Sequence, residues 1–275
     1  MEKYSVLMSV YTNEKSAFLK ESIDSMLRQT AFPDQFVLVK DGPLTTELEA
    51  VINDYCEKYP GLFTIIELPE NKGLGVALNE GLKVCRNELV ARMDSDDISL
   101  SDRCEKELRI FEKNPELSIV SGHIGEFSND PKKIVSVRDV PEKMEEIKRR
   151  MRTRSAFNHP AVMYRKSQVE INGGYGTQKR KQDHDLFSRM INHGCLAYNI
   201  QEIILLFRAG EDNLKRRKSW DNCKNYMIVQ WGIFRRHECS LWDFLFVIMA
   251  QMFFSLAPIF VIDYLTKTML RKSVK

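Results

Sequence analysis

The chain has 275 residues, 43% hydrophobic and 29% charged, with a formal net charge of +3. That length can bury a sizeable core as one large domain or two small ones, and the charge is too small to make nucleic acid a leading partner. Six scattered cysteines (Cys56, Cys85, Cys104, Cys195, Cys223, Cys239) lack redox-pair or zinc-knuckle spacing, and the apolar run in "MEKYSVLMSVYTNEKS" is too short for a signal peptide, so free thiols in an unexported, cytoplasmic protein are expected.

Short apolar runs at 4–10, 36–40, 63–68, 88–93 and 117–122 predict buried strands. Between them the apolar residues follow a helical period. In 15–29 Phe18, Leu19, Ile23, Met26 and Leu27 share a face, and in 46–58 Leu48, Val51, Ile52 and Tyr55 do the same. Residues 74–86 and 101–113 also read as helices, and Ser99 followed by Asp102 resembles a capping box before the second of these. The alternation predicts an α/β fold, a mostly parallel sheet covered on both faces with right-handed crossovers. Ligands of such sheets sit beyond the carboxyl ends of the strands. The loop at 9–14, Asp41 and the acids at 94–97 all fall at such ends.

Residues 123–180 are less regular. A basic stretch, "IKRRMRTR" (147–154), precedes "SAFNHPAVMYRKS" and the turn "NGGYG" (172–176), and a helix is expected over 182–194 with Leu186, Phe187, Met190 and Ile191 inward. The expected division is a catalytic domain over 1–215, with halves at 1–122 and 123–215, and a helical appendage over 216–275. Within the appendage, "FLFVIMAQMFFSLAPIFVI" (244–262) has no formal charge and is followed by a basic tail. A single span would place that tail opposite the catalytic domain, against the usual cytoplasmic placement of Lys and Arg. A hairpin bent at Pro258 or helices lying in the interface are the favoured forms of membrane contact, with a buried helix pair as the plain alternative.

The segment "ELVARMDSDDISL" runs a buried strand into three carboxylates, Asp94, Asp96 and Asp97, that require a cation, a positive neighbour or open water. Alternation along a strand points Asp94 and Asp96 the same way and Asp97 elsewhere. Two converging carboxylates suit a hard divalent cation, while a solvated acidic turn before a helix is the plain reading. The missing glycine and distal glutamate exclude an EF-hand. Asp41 in "VKDGPL" can accept from a base or ribose, or simply form a turn. Gly73 and Gly75 in "NKGLGVALNEGL" allow a tight approach, but the third glycine is displaced from a dinucleotide fingerprint. Asp183 and Asp185 flank His184 at the mouth of a helix, where a carboxylate serves as general base or as a cap. His159 reads as an acceptor contact, a metal neighbour or a structural residue, and the basic run 147–154 as a surface for phosphate, for anionic lipid or, as charge runs usually are, for water.

In order and spacing, these segments over about residues 4–210 resemble a family-2 glycosyltransferase with the GT-A fold, similar to those of bacterial surface-polysaccharide assembly. The resemblance rests on "SVLMSVYTNE", "LVKDGPL", "NKGLGVALNEGL", "ARMDSDD" and "NHPAVMYRKS…GGYG…KQDHDLF". It implies nucleotide-sugar contacts from Val10, Tyr11, Glu14, Asp41, Gly73, Asn79, Asp94 and Ser95, and Mg2+ or Mn2+ at Asp96 and Asp94. It implies Asp183 as general base in an inverting transfer, with Asn158, His159 and Gln182 on the acceptor side. Two positions depart from the family pattern: Leu78 stands where many members carry Arg, and Gln182 where Glu is common. "LLFRAGEDNLKRR" (205–217) has no His to complete the metal site. The implied partners are a nucleoside-diphosphate sugar, a saccharide acceptor such as a lipid-linked one, and the inner face of the cell membrane. A sugar-nucleotide nucleotidyltransferase shares the chemistry, but "SVYTNEKS" lacks that class's glycine-rich loop; a non-catalytic scaffold of the same fold is the other rival.

Overall fold

The computed structural model describes residues 1–209, 219–258 and 261. Its first half follows the predicted order closely: β1 (Tyr4–Val10), α1 (Ser16–Leu27), β2 (Gln35–Lys40), α2 (Thr46–Lys58), β3 (Phe63–Glu67), α3 (Leu74–Val84) and β4 (Leu89–Asp94). These strands lie side by side as β3-β2-β1-β4, all parallel. Every residue of β2 is buried, which is why such strands read as unbroken apolar runs rather than alternating ones. Successive residues of β1 feed opposite cores. Val6 and Met8 pack with Leu19, Ile23, Leu48 and Phe111 on one side, and Leu7 packs with Ala77, Leu78 and Phe187 on the other.

Beyond β4 the sheet turns mixed. The elements are β5 (Ile98–Ser99), α4 (Arg103–Lys113), β6 (Leu117–Phe127), β7 (Ile134–Arg138), α5 (Met144–Met151), a 3-10 turn (His159–Ala161), β8 (Met163–Arg165), α6 (Lys166–Ile171), α7 (Gln182–Asn192) and β9 (Leu196–Arg208). β8 is antiparallel to both β4 and β6, while β6 runs parallel to β9 and carries β7 on its far end. The predicted capping box does not form. Ser99 is held in β5 opposite Leu205 and its backbone N–H donates to Ser25, so α4 starts at Arg103 without a side-chain cap. All six cysteines are free.

Register positions the functional end. Ser9 of β1 pairs with Asp94 of β4, and Val10 pairs with Lys40 of β2, so the residues that follow these strands emerge level with one another. The Asp41 N–H donates to the Val10 carbonyl at 2.8 Å, closing the gap between two of the strand ends.

Two further helices follow: α8 (Trp220–Arg235) packs on α7, and α9 (Leu241–Leu256) packs on α8. Among the described residues no helix is long and apolar enough to cross a membrane. The predicted 244–262 segment enters α9 and leaves the helix at Ala257 and Pro258. Residues 259–260 and 262, the basic tail and the boundary expected at 215/216 lie outside the described residues.

The turn between α6 and α7 is pressed onto α3 at a glycine. A Cβ on Gly75 would run into the Gly176 carbonyl oxygen and meet the Gln182 side chain at 3.5 Å. Because backbone cannot yield as a side-chain tip does, Gly75→Ala is expected to destabilise the fold by about 1–3 kcal/mol. Denaturant unfolding of the two proteins measures it; an unchanged midpoint would mean that the turn gives way freely.

Candidate active site

A cavity of about 910 Å3 opens at the carboxyl ends of β1, β2 and β4, within the size range of small-molecule sites. Tyr11, Glu14, Asp41, Gly73, Asp94, Ser95 and Asp96 line it, so seven of the expected positions meet there. The Asp41 carboxylate accepts from the backbone N–H groups of Lys72 and Gly73, at 2.7 and 3.0 Å. It thereby fixes the loop before α3, with Gly73 at φ +87°, a conformation that suits glycine. Ser95 donates its hydroxyl to Glu14 at 2.6 Å, tying the loop after β1 to the turn after β4.

The carboxylates of Asp94, Asp96 and Asp97 each offer an oxygen within 4.8 Å of the others. Strand alternation would send Asp97 away, but the chain leaves the strand at Ser95 and turns, bringing the fully buried Asp97 back. One Asp97 oxygen accepts from the Arg208 N–H at 2.9 Å; the other has no partner among the described residues. Burial lifts the Asp96 carboxyl to about 7, helped by the charges of Asp94 and Glu14. Asp97 is raised well above the ordinary carboxylate range, again by burial first and then by Asp94 and Asp96. Three clustered oxygens and a buried orphan among them fit a hard divalent cation.

Part of the neutralising charge is built in. Arg92, fully buried in β4, pairs through Nη2 with Asp94. Burial works against its charge, and Asp94, with Tyr175 and Asp97, more than offsets that. Arg208, at the end of β9, donates Nε to the Asp96 carbonyl at 2.9 Å and lies over the rings of Phe18 and Phe127. Neither arginine was singled out from the sequence. For Arg92 the signal was present: a cation inside an apolar strand, two residues before Asp94 and so on the same side. Arg208 stands where a metal-binding His was sought; the remainder of that segment, residues 210–217, lies outside the described residues.

The other expected positions sit elsewhere. Val10 is wholly buried in the core. Asn79 clasps the backbone of Tyr175, accepting from its N–H and donating to its carbonyl, both at 2.8 Å. Asn158 donates to the carbonyls of Gly122 and Arg138. The His159 ring lies 3.0 Å from the Tyr175 hydroxyl, and burial, with the Arg92 charge, holds its pKa well below the usual value. Gln182 is buried against Gly75. Asp183, in the first turn of α7, is not among the described residues lining the cavity. Its charge and that of Asp94 both act on the buried Tyr175 hydroxyl, whose pKa is raised by burial first.

Residues 5–170 match the profile of glycosyl transferase family 2. The chain is 38% identical over 233 residues to an uncharacterized glycosyltransferase of Haemophilus influenzae, covering 85% of this chain and 84% of the relative. It is 34% identical over 272 residues to UDP-Gal:alpha-D-GlcNAc-diphosphoundecaprenol beta-1,3-galactosyltransferase of Escherichia coli, covering 98% and 97%. Its fold matches that of the mannosyltransferase PcManGT from Pyrobaculum calidifontis, solved in complex with GDP-Man and Mn2+. The TM-score is 0.65 at 17% identity, over 93% of this chain and 70% of that one.

A carboxyl whose pKa is higher folded than unfolded stabilises the fold below the unfolded value and loses that contribution as pH rises through the folded one. For Asp96 the window runs from 3.8 to about 7. In chelator the melting temperature should therefore fall as pH is raised through that window. Added Mn2+ should raise it more at about pH 8 than at about pH 5, where protons compete for the same oxygens. Equal stabilisation by Mn2+ at both pH values would remove the cluster from consideration as the cation site.

Proposed function

The chain belongs to glycosyl transferase family 2, and from that premise we propose that it moves a sugar, with inversion, from a nucleoside-diphosphate sugar to a hydroxyl of a lipid-linked saccharide. The acidic cluster at the end of β4, lining one cavity with Tyr11, Glu14 and Asp41, carries this reading. The likeness to the Escherichia coli galactosyltransferase over nearly its full length supports the acceptor class. Assembly of a surface polysaccharide on the inner face of the cell membrane, by a peripherally bound enzyme, is the setting that fits such an acceptor.

In this reading Tyr11, 42% exposed at the mouth of the cavity, offers its ring to the nucleoside. Asp41 and Gly73 shape the wall beside it, and Glu14 with Ser95 holds the two loops together. Asp94, Asp96 and Asp97 would hold Mg2+ or Mn2+, which when bound supplies positive charge for the diphosphate. Asp183 takes the proton from the acceptor hydroxyl as its oxygen attacks the anomeric carbon, and the nucleoside diphosphate leaves from the opposite face. The proposed division is a catalytic domain over 1–215 followed by a docking appendage over 216–275.

Asp183→Asn removes only the base. Transfer should drop at least about 100-fold while the affinity for the donor nucleotide stays within about twofold; substantial turnover in this variant would move the base elsewhere. Donor binding measured by calorimetry should weaken strongly in excess chelator, and full-strength binding there would dismiss the metal role.

A further inference from the structure

Helix α9 is amphipathic in the wrong sense for a helix whose outer side meets only water. Trp242, Leu245, Phe246, Met249, Phe253 and Leu256 recur at helical spacing and are between 41% and 80% exposed. The opposite stripe starts at Phe244, which packs on Phe234 and Trp231 of α8, and continues through Val247 to Gln251 and Ser255. The face turned outward is thus the more apolar one. Contiguous exposed patches of this kind mark interaction surfaces.

A second observation identifies the partner. Two basic runs far apart in sequence, 147–154 and 179–181, converge on Tyr226 of α8. The Tyr226 hydroxyl donates to the Thr153 carbonyl at 2.8 Å, and Lys181 Nζ sits 4.7 Å from the centre of its ring. One turn further on, Gln230 Nε2 donates to the Arg152 carbonyl at 2.8 Å and to the sulfur of Cys239, just before the Ser240 cap of α9. Lys148, Arg149, Arg152, Arg154, Lys179 and Arg180 are exposed. Two acids beside α9 are engaged: Glu238 is buried on Arg236 and Ser188, and Asp243 closes a capping box with Ser240.

The geometry points to an anionic lipid bilayer as the occupant of this surface. α9 lies in the plane of the membrane with Trp242, Phe246 and Met249 at the boundary of headgroups and acyl chains, and the two basic runs meet lipid phosphates. A second copy of the chain would cover the apolar stripe but would leave the convergence of the basic runs without a role. The surface is bolted to the acceptor side. Arg236 donates to Asp185 at 2.9 Å, and Ser188 donates to Glu238 at 2.8 Å, so α7, which carries Asp183, moves as one body with the docked helices. This inference deepens the proposed transfer to a lipid-borne acceptor and rests on it for its purpose, though not for its geometry.

The test is co-sedimentation of the full chain with vesicles of phosphatidylcholine, with and without about 30% phosphatidylglycerol. The expected result is at least about tenfold stronger binding to the anionic vesicles, weakened by salt. Binding should fall to background in a Trp242→Ser, Phe246→Ser, Met249→Ser variant that keeps its melting temperature and its hydrolysis of donor. Two results would overturn the inference: wild-type protein that stays in the supernatant, or a triple variant that sediments as wild type does. So would a dimer in analytical ultracentrifugation that the triple variant dissolves while neither protein binds vesicles. Vesicle binding without any donor hydrolysis in the wild type would leave docking standing and sink the transferase reading instead.

Discussion

Three carboxylates cannot gather at one strand end unless their charge is met, and the chain meets a share of it from within the sheet. Arg92 reaches Asp94 from the same side of β4, and the Arg208 main chain and guanidinium close on Asp97 and on the Asp96 carbonyl. Ser22 of α1 donates to the Asp94 carbonyl at 2.7 Å, so the strand end is fixed from the helix layer as well. What these contacts leave is an orphaned oxygen on Asp97 and two raised carboxyl pKa values. The local structure holds the acids together while leaving them short of positive charge, and that shortfall suits the cation proposed for the cluster.

The rest of the fold brings three strand ends to that cluster. Parallel pairing brings the ends of β1, β2 and β4 level, which delivers Tyr11, Asp41 and Asp94 to one opening. The segment leading into α7 meets α3 closely, through backbone and a short amide. Gly75 lies against Gly176, and Asn79 holds both polar groups of the Tyr175 peptide. In Gly174, at φ +67°, a Cβ would meet the Asn79 amide oxygen at 2.7 Å, so the turn between α6 and α7 is shaped to be gripped. These joints tie the turn that leads into α7 to α3 in the packed core.

Much of this was legible in the residues because the first half buries its strands on both faces. Continuous apolar runs separated by helical periods gave the boundaries of β1 to β4 within a residue or so, and strand ends told where to look for Asp41, Asp94 and Asp96. Less was legible where tertiary contacts override local pattern. Alternation failed at Asp97 because the chain turns at Ser95. The capping reading of Ser99 failed because a two-residue strand claimed it. Asn79 and Asn158 have the polarity of ligand contacts, yet their amides hold backbone groups that no local pattern reveals as needing partners. The apolar character of 244–256 was plain, but which face of α9 looks outward is decided only by its packing on α8.

The central claim is that Asp94, Asp96 and Asp97 hold a divalent ion against a nucleoside diphosphate in the cavity beside Tyr11. A crystal structure with UDP and Mn2+, the ion located by its anomalous scattering, tests it most directly. The account predicts an anomalous peak among the three carboxylates, with the diphosphate beside it and the uracil near Tyr11. A peak elsewhere, or nucleotide bound in that cavity with no ion at the cluster, would contradict it.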